Sequence, residues 1–171
     1  MTAVTFEDLA MPLFDQLYNF AHWLAQDRTE AEDLVQETYV KALKGFSSFQ
    51  PGTNFRAWMY RILRNTFLTS RTGLKASATV ALDSDDSAEL PAGAETPETI
   101  LIEHSQHEIL QTAVESLPIH SREVLLLYEV EEMSYQEIAE TLSIPMGTVM
   151  SRLSRARRAL RESLQQKLVR T

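Results

Sequence analysis

The chain has 171 residues, of which 44% are hydrophobic, and it carries a formal net charge of −8. This length allows one large or two small domains. Because the chain contains no cysteine, its composition excludes disulfides, thiolate metal ligands and a thiol nucleophile. Residues 1–14 carry no basic region ahead of an apolar run, and aliphatic runs elsewhere are only a few residues long. We therefore expect neither a signal peptide nor a membrane span, and a soluble cytoplasmic protein.

Apolar residues recur at helical spacing in three stretches of the first half. The second stretch opens with Thr29 and Glu32, the pattern of a capping box, and Gly45 is expected to end it. In the third stretch the apolar residues lie at offsets 0, 3, 4, 7, 8, 11 and 12 from Phe55, with arginines and Tyr60 on the other faces. The predicted helices are 12–26, about 29–43 and about 55–70.

Residues 76–100 differ in composition from the rest of the chain. They contain six acidic residues and no basic one, among Ala, Ser, Thr and Pro. Such a segment has little apolar surface to bury, so it is predicted to be a flexible acidic linker. No stretch alternates apolar and polar residues between turn signals, so strands are not supported. The sequence therefore predicts an all-α protein with two small helical domains, 1–75 and 101–171.

The second half is predicted to end in a helix-turn-helix. Two helices, about 100–117 and 121–130, precede it. Ser134 and Glu137 form a capping-box pattern at the start of the next helix, and Pro145 is tolerated only in the first turn of the one that follows. The last helix has its apolar residues 4, 3, 4 and 4 positions apart, on one face. They are Val149, Leu153, Ala156, Leu160 and Leu164.

The charge of the second half is divided unevenly between its ends. Residues 101–147 have a net charge of −8, whereas residues 148–171 carry seven basic residues and one acid, a net charge of +6. A solvated helix face usually mixes both signs, which is the alternative interpretation. A one-signed face of arginines with short hydroxyls among them suits DNA phosphates and the base edges of a major groove.

The first half adds two candidate features. Acidic residues gather early in the second helix, where they suit the helix dipole, and stabilisation of that helix end is the plainer interpretation. Phe49 lies in a loop with Pro and Gly, off any helical stripe, near Lys41, Arg61 and Asn65. It is suited to stacking on an unpaired base while the cations hold phosphate. The alternative is that Phe49 folds back over the Trp58 side of the core.

Three segments together resemble regions two and four of the sigma-70 family. They are AEDLVQETYVKAL at 31–43, NFRAWMYRILRNTF at 54–67, and the stretch from LLLYEVEEMSYQEIAETL to SRARRAL at 125–160. The resemblance covers about residues 10–75 and 100–165. Because the linker joins the two regions directly, the chain resembles the extracytoplasmic-function group, alternative sigma factors that direct RNA polymerase to promoters and help melt the DNA.

The resemblance implies roles for residues at matching positions. Those that match the part docking on the clamp helices of the beta-prime subunit of core RNA polymerase are Asp33, Leu34, Gln36 and Glu37. Those assigned to the minus-ten element are Lys41, Gly45, Phe49, Arg61, Arg64 and Asn65. Those assigned to the minus-thirty-five element are Thr148, Met150, Ser151, Arg152, Ser154, Arg155, Arg157 and Arg158. Met150 departs from the Lys or Arg common at its position, which leaves the promoter preference open.

The resemblance also implies the partners: core RNA polymerase, promoter DNA and an anti-sigma factor, with no cofactor, metal or small-molecule substrate. One alternative is a plain transcriptional regulator such as a response-regulator output domain, but its receiver domain would need strands that residues 1–75 do not predict. The other is an enzyme. His104 and His107 have a spacing that could ligate a metal, but no HExxH pattern or cysteine partner accompanies them. We therefore expect a non-enzymatic protein.

Overall fold

A computed structural model describes residues 3–74 and 102–170, with side chains for 3–71 and 106–166. The described residues are almost entirely helical and contain no strand, so the all-α prediction is confirmed for them. The predicted linker at 76–100 lies outside the described residues. None of the helices in the described ranges is both long and apolar enough to cross a membrane.

Four helices form the first half of the fold. They are α1 (Phe6–Ala10), α2 (Phe14–Ala25), α3 (Arg28–Gly45) and α4 (Phe55–Leu74). The predicted periodicity holds, because α2 buries Leu17, Phe20 and Leu24 on one stripe. These side chains pack in one core with Val35 of α3 and Leu63 of α4. A short 3-10 turn containing Pro12 precedes α2, since proline suits a first turn and not a helix interior.

The predicted start of α3 is wrong by two residues. Asp27, not Thr29, is the N-cap, and its carboxylate accepts from the Glu30 backbone N–H at 2.8 Å. A carboxylate at this position both satisfies a free N–H and favours the positive end of the helix dipole. Gly45 is the last helical residue, as expected, but its φ of −93° shows that it does not end the helix through a left-handed conformation.

Tyr60 is the second correction in the first half. The helical period placed it on a polar face of α4, but it is fully buried. Its ring contacts Phe20 at 5.3 Å between centroids, and its hydroxyl donates to the Glu131 carboxylate. Burial and this hydrogen bond raise the pKa of Tyr60. The side of α4 that was expected to face solvent is therefore covered by the second half of the chain.

The second half contains four further helices. They are α5 (Ile102–Glu115), α6 (Ile119–Glu129), α7 (Tyr135–Leu142) and α8 (Met146–Arg170). The predicted helix-turn-helix is α7 and α8. Ser134 caps α7 by accepting from the Glu137 N–H at 3.0 Å. Ser143, at φ +59°, ends α7 in the left-handed region, and Pro145 directly precedes α8. Its core brings Val124 and Leu127 against the buried residues of both helices.

Only half of the predicted capping box at Ser134 is formed. The Glu137 carboxylate points away from the cap and accepts from the Asn54 side-chain amide at 3.1 Å. It also lies 3.8 Å from Nε of Arg56 on α4. The first half of the chain therefore takes the carboxylate that the local pattern assigned to the helix end.

The two halves pack against each other through α2 and α4 on one side and α6 and α7 on the other. Arg122 of α6 joins them at the end of α2, where its guanidinium donates to the Leu24 carbonyl at 3.1 Å. The same group donates to the Leu117 carbonyl at 3.2 Å, beyond the end of α5. Helix ends leave unpaired carbonyls, and a cation is the favoured partner there. Burial lowers the pKa of Arg122.

Candidate nucleic-acid interface

The outer face of α8 is exposed along its first four turns. Its exposed side chains are Met150, Ser151, Ser154, Arg155 and Arg158. Ser151 Oγ donates to the Thr148 carbonyl at 3.2 Å, and Arg155 lies one turn on, with Nη2 3.5 Å from Ser151 Oγ. The opposite side buries Val149 and Leu153. The inner apolar stripe therefore turns the Ser/Arg face outward, as a recognition helix requires.

Two arginines assigned to the same element differ in their freedom. Arg157 is held inside its own domain, because Nη2 lies 3.2 Å from the Glu129 carboxylate and its guanidinium sits 5.0 Å from the Tyr128 ring centroid. The bond to Glu129 raises the pKa of Arg157. Arg152 is half-buried. Arg155 and Arg158 are therefore better presented to DNA than Arg157.

The early part of α3 presents an acidic face. Asp33, Gln36 and Glu37 are exposed, whereas Leu34 is buried, with 5% of its surface exposed. Asp27 already caps α3, so the acids on the outer face are not needed as caps. Leu34 therefore supports the face from inside the core.

Sequence reasoning missed an apolar continuation of this face. Val40 is 51% exposed and Leu43 is 59% exposed on the later turns of α3. Their positions follow Asp33, Gln36 and Glu37 at spacings of three and four, which is the signal that could have found them. Two exposed aliphatic side chains beside an acidic row make a mixed surface of the kind that protein interfaces use.

The residues assigned to the minus-ten element do not form one group. Lys41 bonds Thr66 Oγ1 of α4 at 3.2 Å and lies 3.4 Å from the Glu37 carboxylate. Asn65 is exposed, and its Oδ1 accepts from Arg64 Nη1 at 3.3 Å. Lys41 is therefore close to α4 but is already paired within the domain.

Phe49 adopts the alternative position weighed for it. Its ring is half-buried and lies 5.1 Å from the Trp58 ring and 5.2 Å from Phe55, centroid to centroid. Gly45 belongs to the same place, since a Cβ there would lie 3.9 Å from Trp58 Cζ2. The part of Phe49 that stays exposed lines a polar groove of about 790 Å³, with Arg61 on its wall.

Arg61 and Arg64 are engaged by the second domain. Arg64 Nε and Nη2 donate to the two carboxylate oxygens of Glu123 at 2.9 and 3.2 Å, a bidentate pair. Arg61 donates to the backbone carbonyls of Glu140 and Thr141 at the end of α7. Sequence reasoning missed Glu123; its signal is an acid directly preceding the apolar run Val124 to Leu127.

No catalytic or metal centre is visible in the described parts of the chain. Within residues 3–71 and 106–166, no three His, Cys, Asp or Glu side chains are grouped so that they could hold a metal ion. The partner of His120 is the Glu123 carboxylate, 3.3 Å away.

The comparisons with known proteins agree with this division of surfaces. Residues 9–76 match the family model described as Sigma-70 region 2, and residues 107–160 match Sigma-70, region 4. These matches cover most of the chain, which therefore belongs to the sigma-70 family. The relatives place it in the extracytoplasmic-function group, as the resemblance implied.

Two relatives and two solved structures show the extent of the similarity. The ECF sigma factor SigE of Mycolicibacterium smegmatis is 36% identical over 94% of this chain, which spans 65% of that protein's length. EcfG of Rhodopseudomonas palustris is 34% identical over 88% of this chain and 86% of its own. The sigma factor RpoE of Bartonella quintana, solved with the anti-sigma factor NepR, is 28% identical, with a TM-score of 0.67 over 93% of this chain and 98% of that one. CnrH, solved with the cytosolic domain of CnrY, is 25% identical, with a TM-score of 0.68 over 94% and 88%.

Proposed function

We propose that this chain is an alternative sigma factor that binds core RNA polymerase, directs it to specific promoters and helps to melt the DNA. The observation that carries the proposal is the outward Ser/Arg face of α8 in a chain that also presents a separate acidic face on α3. Polymerase carries the chemistry, and the chain itself contributes binding energy and no catalytic group. Its place of action is the cytoplasm, with the polymerase.

The acidic face of α3 is the proposed docking surface for the clamp of the beta-prime subunit. Asp33, Gln36 and Glu37 supply charge and hydrogen bonding, and the exposed Val40 and Leu43 supply apolar contact. Complementary charge speeds association and selects the partner, while buried apolar side chains supply much of the affinity.

The two promoter elements are assigned to separate surfaces. Arg155, with Ser151 and Ser154, reads or holds the upstream element from α8. Asn65, Arg61 and the exposed rim of Phe49 act on the melted strand, with Asn65 able to donate to and accept from a base edge. The exposure of Asn65 and the polar groove beside Phe49 support this assignment.

The test uses the full chain, purified core polymerase and genomic DNA fragments. Run-off transcription should start at a small set of sites with the chain and not without it. Asp33→Asn combined with Glu37→Gln should weaken polymerase binding, measured by fluorescence anisotropy, whereas Glu7→Gln on the exposed surface of α1 should not. Specific starts that do not depend on the added chain, or equal polymerase binding by all variants, would contradict the proposal.

The anti-sigma partner is part of the same proposal. The Bartonella quintana protein of the same fold is solved with an anti-sigma factor. We infer that this chain is likewise held by a protein inhibitor; its identity is a question for purification of the chain from its own cell, with its bound partner identified by mass spectrometry.

A further inference from the structure

The contact between Arg64 and Glu123 is the most deeply buried ion pair that joins the two halves of the described structure. The Glu123 side chain is fully buried and that of Arg64 is 16% exposed. Both carboxylate oxygens of Glu123 are used by Arg64, and one also lies 3.3 Å from Nδ1 of His120. A carboxylate placed so deeply is stabilised only while its cation stays with it.

A second contact beside it repeats the arrangement. Glu131, which is 6% exposed, accepts from the Tyr60 hydroxyl, and its backbone carbonyl accepts from the Arg56 guanidinium. Arg56 also faces the Glu137 carboxylate at 3.8 Å. Together with the α7 carbonyls bound by Arg61, the C-terminal domain occupies three successive arginines on one side of α4.

The other interaction surfaces remain open in the same arrangement. On α3, Asp33, Gln36 and Glu37 are exposed. On α8, Arg155 and Arg158 are exposed. Domain packing therefore covers the cations of α4 but leaves free the surfaces assigned to polymerase and to the upstream element.

We propose that these contacts form an intramolecular latch, in which the acidic side of the C-terminal domain withholds the α4 arginines from the phosphates of single-stranded DNA. The latch rests on the proposed function, which assigns Arg61 and Arg64 to the melted strand. Arg64 Nε and Nη2 already bond the two oxygens of Glu123, so these N–H groups cannot bond a phosphate at the same time. Strand binding and domain packing are therefore mutually exclusive at Arg64.

The latch implies an order of events. Polymerase and the upstream element meet surfaces that are already exposed, so they can bind the closed form. The melted strand meets α4 only after the C-terminal domain has moved away. A two-state protein shows an apparent affinity reduced by the fraction that is binding-competent. If the open form is about 10% of the population or less, opening should tighten strand binding by about tenfold or more.

The first experiment compares two double variants of the full chain. Glu123→Gln with Glu131→Gln removes both latch charges, whereas Glu7→Gln with Glu132→Gln removes two exposed charges and serves as the matched control. The probe is a 5′-fluorescein single-stranded DNA of about 20 nucleotides and mixed sequence, read by anisotropy at several salt concentrations. Small-angle X-ray scattering reports whether the domains have separated.

We expect the latch variant to have a larger radius of gyration and to bind the probe about tenfold or more tightly than the control. Two freed arginines should also steepen the salt dependence, by about 0.7 each on a log–log plot for a single strand. Adding Arg64→Ala to the latch variant should remove most of the gain. Separated domains with an affinity within about twofold of the control would overturn the latch.

A second experiment holds even if the double variant stays closed. Because the chain has no cysteine, Asn54→Cys and Glu137→Cys introduce the only two thiols, at side chains 3.1 Å apart in the closed form. A thiol-cleavable bismaleimide should join them. The linked protein should bind the probe weakly and recover after cleavage, while its affinity for core polymerase is the same in both states. Equal probe binding before and after cleavage would overturn the latch.

The two proposals fail in different ways. If Arg64→Ala abolishes promoter opening in the assembled holoenzyme but linked and cleaved chains bind the probe equally, only the latch is wrong. If Arg64→Ala leaves opening intact in the holoenzyme, the assignment of α4 to the melted strand is wrong, and the latch falls with it.

Discussion

At the scale of the residue, Phe49 shows how one side chain can both pack and bind. Its ring lies against Trp58 and Phe55, yet part of it lines the groove beside Arg61. Phe49→Ala should lower the free energy of unfolding by about 1–2 kcal/mol, less than the 3–5 kcal/mol of a fully buried Phe, because the ring is half-buried. Urea unfolding followed by circular dichroism measures this loss.

Phe49→Leu separates packing from stacking. Leucine retains apolar contact with Trp58 but has no aromatic face for a base, and such stacking is worth about 1–3 kcal/mol. The variant should have a melting temperature close to that of the original protein, bind polymerase normally and give fewer permanganate-reactive thymines at a promoter. A pre-opened bubble template should partly restore transcription. Normal thymine reactivity in Phe49→Leu would restrict Phe49 to packing.

Arg155 is the best-presented cation on the recognition helix. Arg155→Ala should weaken promoter binding by about 1–3 kcal/mol if the guanidinium bonds a base in bidentate fashion. Core polymerase binding should not change. Electrophoretic mobility shifts on a native and a scrambled upstream element provide the measurement. An equal loss on both would identify a phosphate contact, and no loss would remove Arg155 from the interface.

At the scale of the element, the start of α3 depends on a single cap. Asp27 accepts the Glu30 N–H, whereas the local pattern pointed to Thr29. Asp27→Ala should therefore lower the free energy of unfolding by about 1 kcal/mol, and Thr29→Ala should leave it almost unchanged. Chemical denaturation of the two variants decides between the positions, and a larger loss for Thr29→Ala would contradict the observed cap.

At the scale of the whole molecule, the packing of the two halves should respond to pH through Glu131. Burial raises the pKa of this carboxyl in the closed form, although the Tyr60 hydroxyl and Arg56 lower it in part. Opening would return the pKa towards its ordinary value of 4.5. Because the closed form holds the proton more tightly, its stability is greatest below that value and falls as pH rises through the raised pKa.

The expected outcome is a smaller closed fraction at neutral pH than in mildly acidic solution. Energy transfer between dyes on the two domains, measured from pH 7 down to about pH 5, reports the closed fraction. Glu131→Gln keeps an acceptor for Tyr60 but has no proton to bind, so it should reduce this dependence. Glu132→Gln, an exposed neighbour with the same charge change, should keep it. Identical pH profiles for the two variants would exclude Glu131 as the responsive group.

The sequence by itself determined the helices, the helix-turn-helix and the family. The stripe on α4 and the one on α8 repeat over several turns, and a helical period of that length leaves few alternatives. The outward face of α8 followed directly, because Val149 and Leu153 must turn inward for the helix to pack. The acids of α3 were predictable in the same way, although the exposed Val40 and Leu43 beside them were overlooked.

Only the tertiary structure decided what covers the polar side of α4. A helical period assigns a residue to a face, but it does not say which distant element packs there. Arg64 and Glu123 are 59 positions apart, and Tyr60 and Glu131 are 71 apart. Tyr60 therefore looked like a surface residue, and Arg64 like a free cation. Each has a partner on the second domain, because burying polar groups is favourable only when they meet their complements.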